Sequence, residues 1–236
     1  MGRLRVTSAS TASEKVNELK RRLKTLKTPA IVPPYSLVVW AREAAVAPVM
    51  KYASIEDLNE TVTSSLQSIE DKVSAIGLHN PFWDIVYEGS RIVSRTPKHE
   101  TDIHPTIHAL LFDIGIAKNL EIAREYGIGG GKLDFLISGP LRTGEIVSVG
   151  VEFKHAHSED LSDGLLKQLP AYMKAKGCVF GLYCVLYFKG PHFSEPRKYD
   201  RWGLVPSLQK QAVSAGLSSV RVLLLDLSYP EPPSRL

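Results

Sequence analysis

The stretch Gly127-Ile-Gly-Gly-Gly-Lys-Leu-Asp134-Phe-Leu-Ile137, followed after a turn by Val147-Ser-Val-Gly-Val-Glu152-Phe-Lys154, decides the fold of this chain. In the second run Val147, Val149, Val151 and Phe153 alternate with Ser148, Gly150, Glu152 and Lys154. A period of two is that of a β-strand, whose side chains point to opposite faces in turn. The first run reads likewise, with Leu133, Phe135 and Ile137 opposed to Lys132 and Asp134. Ser138 to Gly144 is turn material, so the two strands form a hairpin and Asp134 and Glu152 become cross-strand neighbours. Ser148 and Gly150 leave a shallow, unobstructed surface beside Glu152. Two carboxylates brought together raise each other's pKa unless a cation lies between them. A hard divalent ion such as Mg²⁺ takes oxygen ligands and keeps several waters, which leaves positions for a phosphate oxygen and an attacking water. Lys154 points the same way as Glu152, and its ammonium can orient that water or neutralise developing charge.

Around this hairpin the patterning is that of an α/β domain. A helix is expected from about residue 101 or 104 to 116, because Pro105 suits a first turn and Ile107, Leu110, Leu111 and Ile114 make one apolar stripe. Strands are expected at 120–126, 132–138, 145–155 and 179–188, with a helix over 160–176. A helix at 205–215 and a strand at 220–227 follow. The order α-β-β-β-α-β-α-β predicts a mixed central sheet whose early strands are hairpin-connected and whose later ones cross over through helices. The glycine run before Lys132 is not a phosphate-binding loop: its spacing fails, Leu133 stands where Ser or Thr is needed, and a strand follows instead of a helix.

The N-terminal part has a different character. Residues 1–27 hold eight basic and two acidic residues, a net +6, although the whole 236-residue chain carries only +4. The body is therefore slightly acidic. Val16, Leu19, Leu23 and Leu26 form a short seam on a basic amphipathic helix over 14–27, which can dock on its own domain, pair in a homodimer, hold a partner protein or touch nucleic acid. Pro29, Pro33 and Pro34 mark a linker. A helical accessory region is expected over 36–96, carried by the spacing of Ile55, Leu58, Val62, Leu66, Ile69 and Val73. Residues 229–236 are a Pro-rich tail.

Composition excludes other classes. With 44% hydrophobic and 23% charged residues the chain has material for a core, against wholesale disorder. Its longest near-continuous apolar run, 178–188, falls short of the roughly 20 residues of a membrane-spanning helix. No secretory signal opens it, although its Arg/Ser/Thr-rich start shares the composition of transit peptides. Cys178 and Cys184 stand too far apart on one strand to bridge, which fits a reducing, intracellular and hence cytoplasmic setting.

Gly131-x-x-Asp134, then Glu152-x-Lys154, then Gln168-x-x-x-Tyr172 resembles the PD-(D/E)XK nuclease superfamily, and more closely its RecB-type branch with the Gln/Tyr signature. The resemblance covers about 98–190, reaching to 228 at most. It implies a restriction-endonuclease-like core and a nuclease acting on phosphodiester bonds, in DNA ahead of RNA, in defence against invading DNA or in repair. It also implies Asp134 and Glu152 as ligands of Mg²⁺ (with Mn²⁺ able to substitute), Lys154 as catalytic lysine, and Gln168 and Tyr172 on one helix face beside the site or the nucleic acid backbone. Pro170 between those two predicts a kink or break. The further carboxylate that the family takes from the preceding helix falls on Glu100, with His104 as the other candidate ligand.

Two other readings compete. In one, the nuclease-like core is a scaffold for a non-catalytic nucleic-acid-binding or assembly module. In the other, His104, His108, His155 and His157 make a histidine-bearing zinc centre, although the pair His104-x-x-x-His108 lacks the adjacent Glu of metalloproteases.

Overall fold

A computed structural model describes Asn17 and residues 50–128, 131–198 and 200–230; the rest of the basic helix, the linker, the first part of the accessory region (36–49) and the end of the Pro-rich tail lie outside the described residues. Met50–Leu236 form one compact unit.

Helix α1, Ile55–Ile76, opens at Ser54, whose hydroxyl accepts the Asp57 N–H while the Asp57 carboxylate accepts the Ala53 N–H at 2.9 Å. This reciprocal cap satisfies donors that the first turn leaves open. Gly77, at φ 64°, closes the helix and lets the Leu78 N–H reach the Val73 carbonyl. Leu58, Val62, Leu66, Ile69 and Val73 are its buried stripe, as their spacing predicts, and they pack into the same core as the central sheet.

The helical expectation fails over 83–97. After a short 3-10 turn, β1 (Trp83–Glu88) and β2 (Arg91–Pro97) form an antiparallel hairpin with its own two-stranded sheet. Its flanks carry β-branched and aromatic residues (Ile85, Val86, Tyr87, Ile92, Val93), and Gly89 turns at φ 59°. Those local preferences favour a strand pair over continued helix.

Helix α2, Glu100–Ala117, buries Ile103, His104, Ile107 and Leu111, and its start at Glu100 sets Pro105 in the second turn instead of the first. The central sheet follows: β3 (Glu121–Ile128), β4 (Gly131–Pro140), β5 (Ile146–His155), β6 (Phe180–Tyr187) and β7 (Val220–Asp226), in spatial order β3-β4-β5-β6-β7. The first three pair antiparallel and the last three parallel, so the sheet is mixed, as the hairpin-then-crossover pattern predicts. The crossover after β5 runs through α3 (Leu161–Asp163), a π-helical turn (Gly164–Gln168) and α4 (Leu169–Lys176); that after β6 runs through α5 (Arg201–Ser214).

Two hydrophobic cores sandwich the sheet. One gathers α1, α2, Phe135, Ile137, Val149, Val151 and Phe153; the other gathers α3, α4, α5, Tyr183, Val185 and Val220. Close approach is enforced at Gly139, where a β-carbon would lie 2.7 Å from the Tyr52 ring. That bare strand lets Tyr52 cover the sheet and exchange backbone hydrogen bonds with Pro140 and Arg142. Cys178 and Cys184 are buried free thiols, and no helix among the described residues is long and apolar enough to cross a membrane.

Candidate functional site

The β4–β5 ladder ends at Phe135↔Val151. Continued by one residue, its register would set Asp134 opposite Glu152, yet the strands part there. The Asp134 carboxylate takes the place of a ladder carbonyl and accepts the Phe153 N–H at 2.7 Å. The regular alternation expected along β4 slips at the same point. Phe135 and Ile137 enter the α1/α2 core, whereas Leu133 belongs to the opposite one and fills the space over Gly150, together with Leu169. The surface beside Glu152 is therefore roofed by these leucines and not open as the small residues suggest.

Under that roof Glu152 is 5% exposed, and its Oε2 has no hydrogen-bond partner among the described residues. Burial, and then the neighbouring Asp134 charge, push its carboxyl up to about 8, against the opposing pull of Lys154. Glu100, the first residue of α2, reaches the end of β5. Its Oε1 accepts the His155 N–H at 2.8 Å and its Oε2 takes the Lys154 ammonium at 3.1 Å. Burial works to lower the Lys154 pKa, but Glu100, Glu152 and Asp134 outweigh it and hold the ammonium above its ordinary range. His104 is 1% exposed, stands 3.7 Å from Asp134 Oδ1 and packs on the rings of Phe135 and Phe153.

Five of the seven expected residues, Glu100, His104, Asp134, Glu152 and Lys154, thus gather where the two strands part and α2 begins. Tyr172 is a sixth: half-buried on α4, its hydroxyl is raised by burial and then by Glu152, and it is hydrogen-bonded to the Lys132 backbone. Gln168 is exposed at the end of the π-helical turn, while Tyr172 is half-buried on α4. The wider turn just before Pro170 absorbs the irregularity that the proline predicts. Of the histidines in the zinc reading, His108 lies against Phe112 and Phe135, His155 against Phe188 and His157 against Phe193. Among the described residues, no three His, Cys, Asp or Glu side chains already form a metal-holding cluster.

Sequence reasoning misses the backbone side of this site. The Phe153 and His155 amides anchor Asp134 and Glu100, and no residue pattern announces them. It also misses Tyr183, the β6 neighbour of Glu152, whose hydroxyl donates to the Leu161 carbonyl at 2.6 Å and ties α3 to the sheet. Chemically, the cluster concentrates three carboxylates around one ammonium, and burial favours the neutral form of the most buried of them.

No curated protein and no solved structure matches the sequence. A family match does exist: residues 58–190, from α1 past the end of β6, take in every residue of this cluster and more than half of the chain. The chain belongs to the family described as a domain of unknown function, DUF8371.

Proposed function

We propose that the protein is a divalent-metal-dependent nuclease with a restriction-endonuclease-like core, hydrolysing phosphodiester bonds in DNA ahead of RNA. The observation that carries this reading is Glu152, a buried carboxylate with an unsatisfied oxygen and a raised pKa, set beside Asp134 and the Lys154–Glu100 pair. Holding such a group so far from its ordinary pKa costs several kcal/mol, at about 1.4 kcal/mol per pKa unit. A titratable group perturbed by burial together with a specific charged neighbour is a functional-site candidate.

The donors fit a hard cation: Asp134, Glu152 and Glu100 offer carboxylate oxygens, with His104 adjoining, and Mg²⁺ or Mn²⁺ suits that set. The ion would supply Lewis-acid activation of the phosphate and of water. Lys154 would hold an attacking water or balance charge on the phosphoryl oxygens, Glu100 would position Lys154, and Tyr172 would border the substrate. The test is cleavage of labelled DNA and RNA with Mg²⁺, Mn²⁺ or EDTA. Metal-dependent cleavage that Lys154→Ala abolishes supports the reading; its absence on every substrate form, or full activity in Lys154→Ala, overturns it.

One observation favours a second reading. The Lys154 ammonium is engaged by Glu100, and the acidic groups form no ready-made metal cluster. That is compatible with a non-catalytic binding or assembly module, which predicts nucleic-acid binding unchanged by Asp134→Ala and Glu152→Ala and no cleavage.

A further inference from the structure

Beside the cluster, beyond the C-terminal ends of the parallel strands β5 and β6, lies a cavity of about 630 Å³. Crevices outside the carboxyl ends of parallel strands are a common place for ligands in α/β sheets, and the volume is within the roughly 300–1,000 Å³ of small-molecule sites. Ala156 and His157, on its wall, form the turn that follows β5 and are two and three residues beyond Lys154.

The lining is amphipathic. One wall is aromatic and rigid: the His157 ring lies 4.6 Å from that of Phe193, Phe193 packs edge-on against Trp83, and His157 Nε2 is tied to the Ser194 carbonyl at 2.9 Å. Cations stand at the rim, where Arg197 and Lys198 are exposed. Of the two acidic lining residues, Glu195 is already engaged by the Tyr187 hydroxyl and the Lys189 ammonium, and Glu159 is exposed.

We infer that this cavity is a subsite for one unpaired nucleotide of a DNA strand, with the base against the His157–Phe193 wall and a flanking phosphate on Arg197 and Lys198. The choice of polymer rests on the nuclease reading; the requirement for an unpaired base comes from the cavity itself. A base inside a duplex presents no free face to a concave aromatic wall, whereas a single-stranded or extruded base does. Stacking is sequence-tolerant because every base has a π-face, so the subsite selects strand state and not sequence.

The experiment is fluorescence anisotropy with a 5′-labelled 12-nucleotide DNA strand, free and annealed to its complement. Ca²⁺ replaces Mg²⁺, and cleavage is assayed separately with Mg²⁺. The expected result is single-strand binding at least about tenfold tighter than duplex binding. It is weakened about tenfold by Arg197→Ala and by the cavity-filling Ser194→Trp, and it stays within about twofold in Arg142→Ala, which removes an exposed cation in the turn between β4 and β5. Both substituted side chains are exposed, and an unchanged melting temperature checks the fold. Equal or tighter duplex binding, or single-strand binding that neither variant moves, overturns the subsite. If the binding pattern holds and no cleavage appears, the nuclease reading falls and the subsite stands; if cleavage is lost in Lys154→Ala but Arg197→Ala and Ser194→Trp bind normally, the reverse holds.

Discussion

Two acidic clusters in this protein are built from nearly the same parts and end in opposite conditions. Near the start of α5, Arg201 spans Glu70 and Asp226, with its Nη2 3.3 Å from one and its Nε 2.7 Å from the other. Glu70 Oε2 also accepts the Asp226 N–H, and Asp226 Oδ1 accepts the Ser228 N–H. A planar guanidinium serves two carboxylates at once, and backbone amides take up further lone pairs. At the end of β5, three carboxylates share one lysine, a point charge that Glu100 already claims, and a buried oxygen of Glu152 is left over. The first arrangement is closed, its charges matched within itself; the second is open in its charge balance, with one buried carboxylate oxygen lacking a partner among the described residues.

The largest expected effect comes from breaking the open cluster. Lys154→Ala and Glu152→Gln should each lower metal-dependent cleavage about 100–1,000-fold, the usual loss on removing one electrostatic stabiliser. Arg201→Ala should leave cleavage within about twofold while destabilising the fold by about 1–2 kcal/mol, a melting-temperature drop of a few degrees. Cleavage assays and thermal melts on the three variants decide it. Loss of activity in Arg201→Ala without loss of stability would erase the distinction between the clusters.

Next in size is a pH effect. The Glu152 carboxyl is raised from 4.5 to about 8, so between those values the folded state keeps a proton that the unfolded chain has released. Stability contributed by this group is therefore present at low pH and declines as pH rises through that window. Melts of Glu152→Gln against wild type should show a gap in the variant's favour that grows from pH 4.5 to 8. Millimolar Mg²⁺ should raise the wild-type melting temperature at pH 8 and narrow the gap, because a ligand that binds only the native state stabilises it. A gap independent of pH would show that the buried carboxylate is compensated already.

Smaller effects test the supporting residues. Glu100→Ala frees Lys154 and the His155 amide together, and cleavage should fall about tenfold with about 1 kcal/mol lost in a denaturant titration. The smallest difference expected is between the two signature residues on the helix side: Gln168→Ala within about twofold of wild type, Tyr172→Phe about three- to tenfold lower. Equal losses would return the exposed Gln168 to the site.

Much of this architecture is legible in the residues. Alternation along 146–155, apolar spacing along α1 and the turn glycines locate nearly every element, because burial of one face imposes a period that composition alone does not. The hairpin at 83–97 escapes because its signal is local, a glycine turn between β-branched flanks, while its helical surroundings dominate a longer window. At the candidate site the side chains can be named from motif spacing, but their state cannot. Leu133 changes core, Gly150 is roofed by leucines brought from two elements, and Glu152 is buried. Each of these depends on how strands and helices meet in three dimensions, which no single stretch of sequence encodes.

The hydrogen bond from the Phe153 amide to Asp134 gives the site an internal reporter. Amide hydrogens exchange with solvent when the bond that holds them opens, and this one is held by a carboxylate of the candidate site instead of by a neighbouring strand. Asp134→Asn keeps an acceptor oxygen and removes only the charge, whereas Asp134→Ala removes both. The exchange rate of a single backbone proton in the three proteins, followed by NMR, would therefore read the site's charge and its geometry separately, with no substrate in the tube.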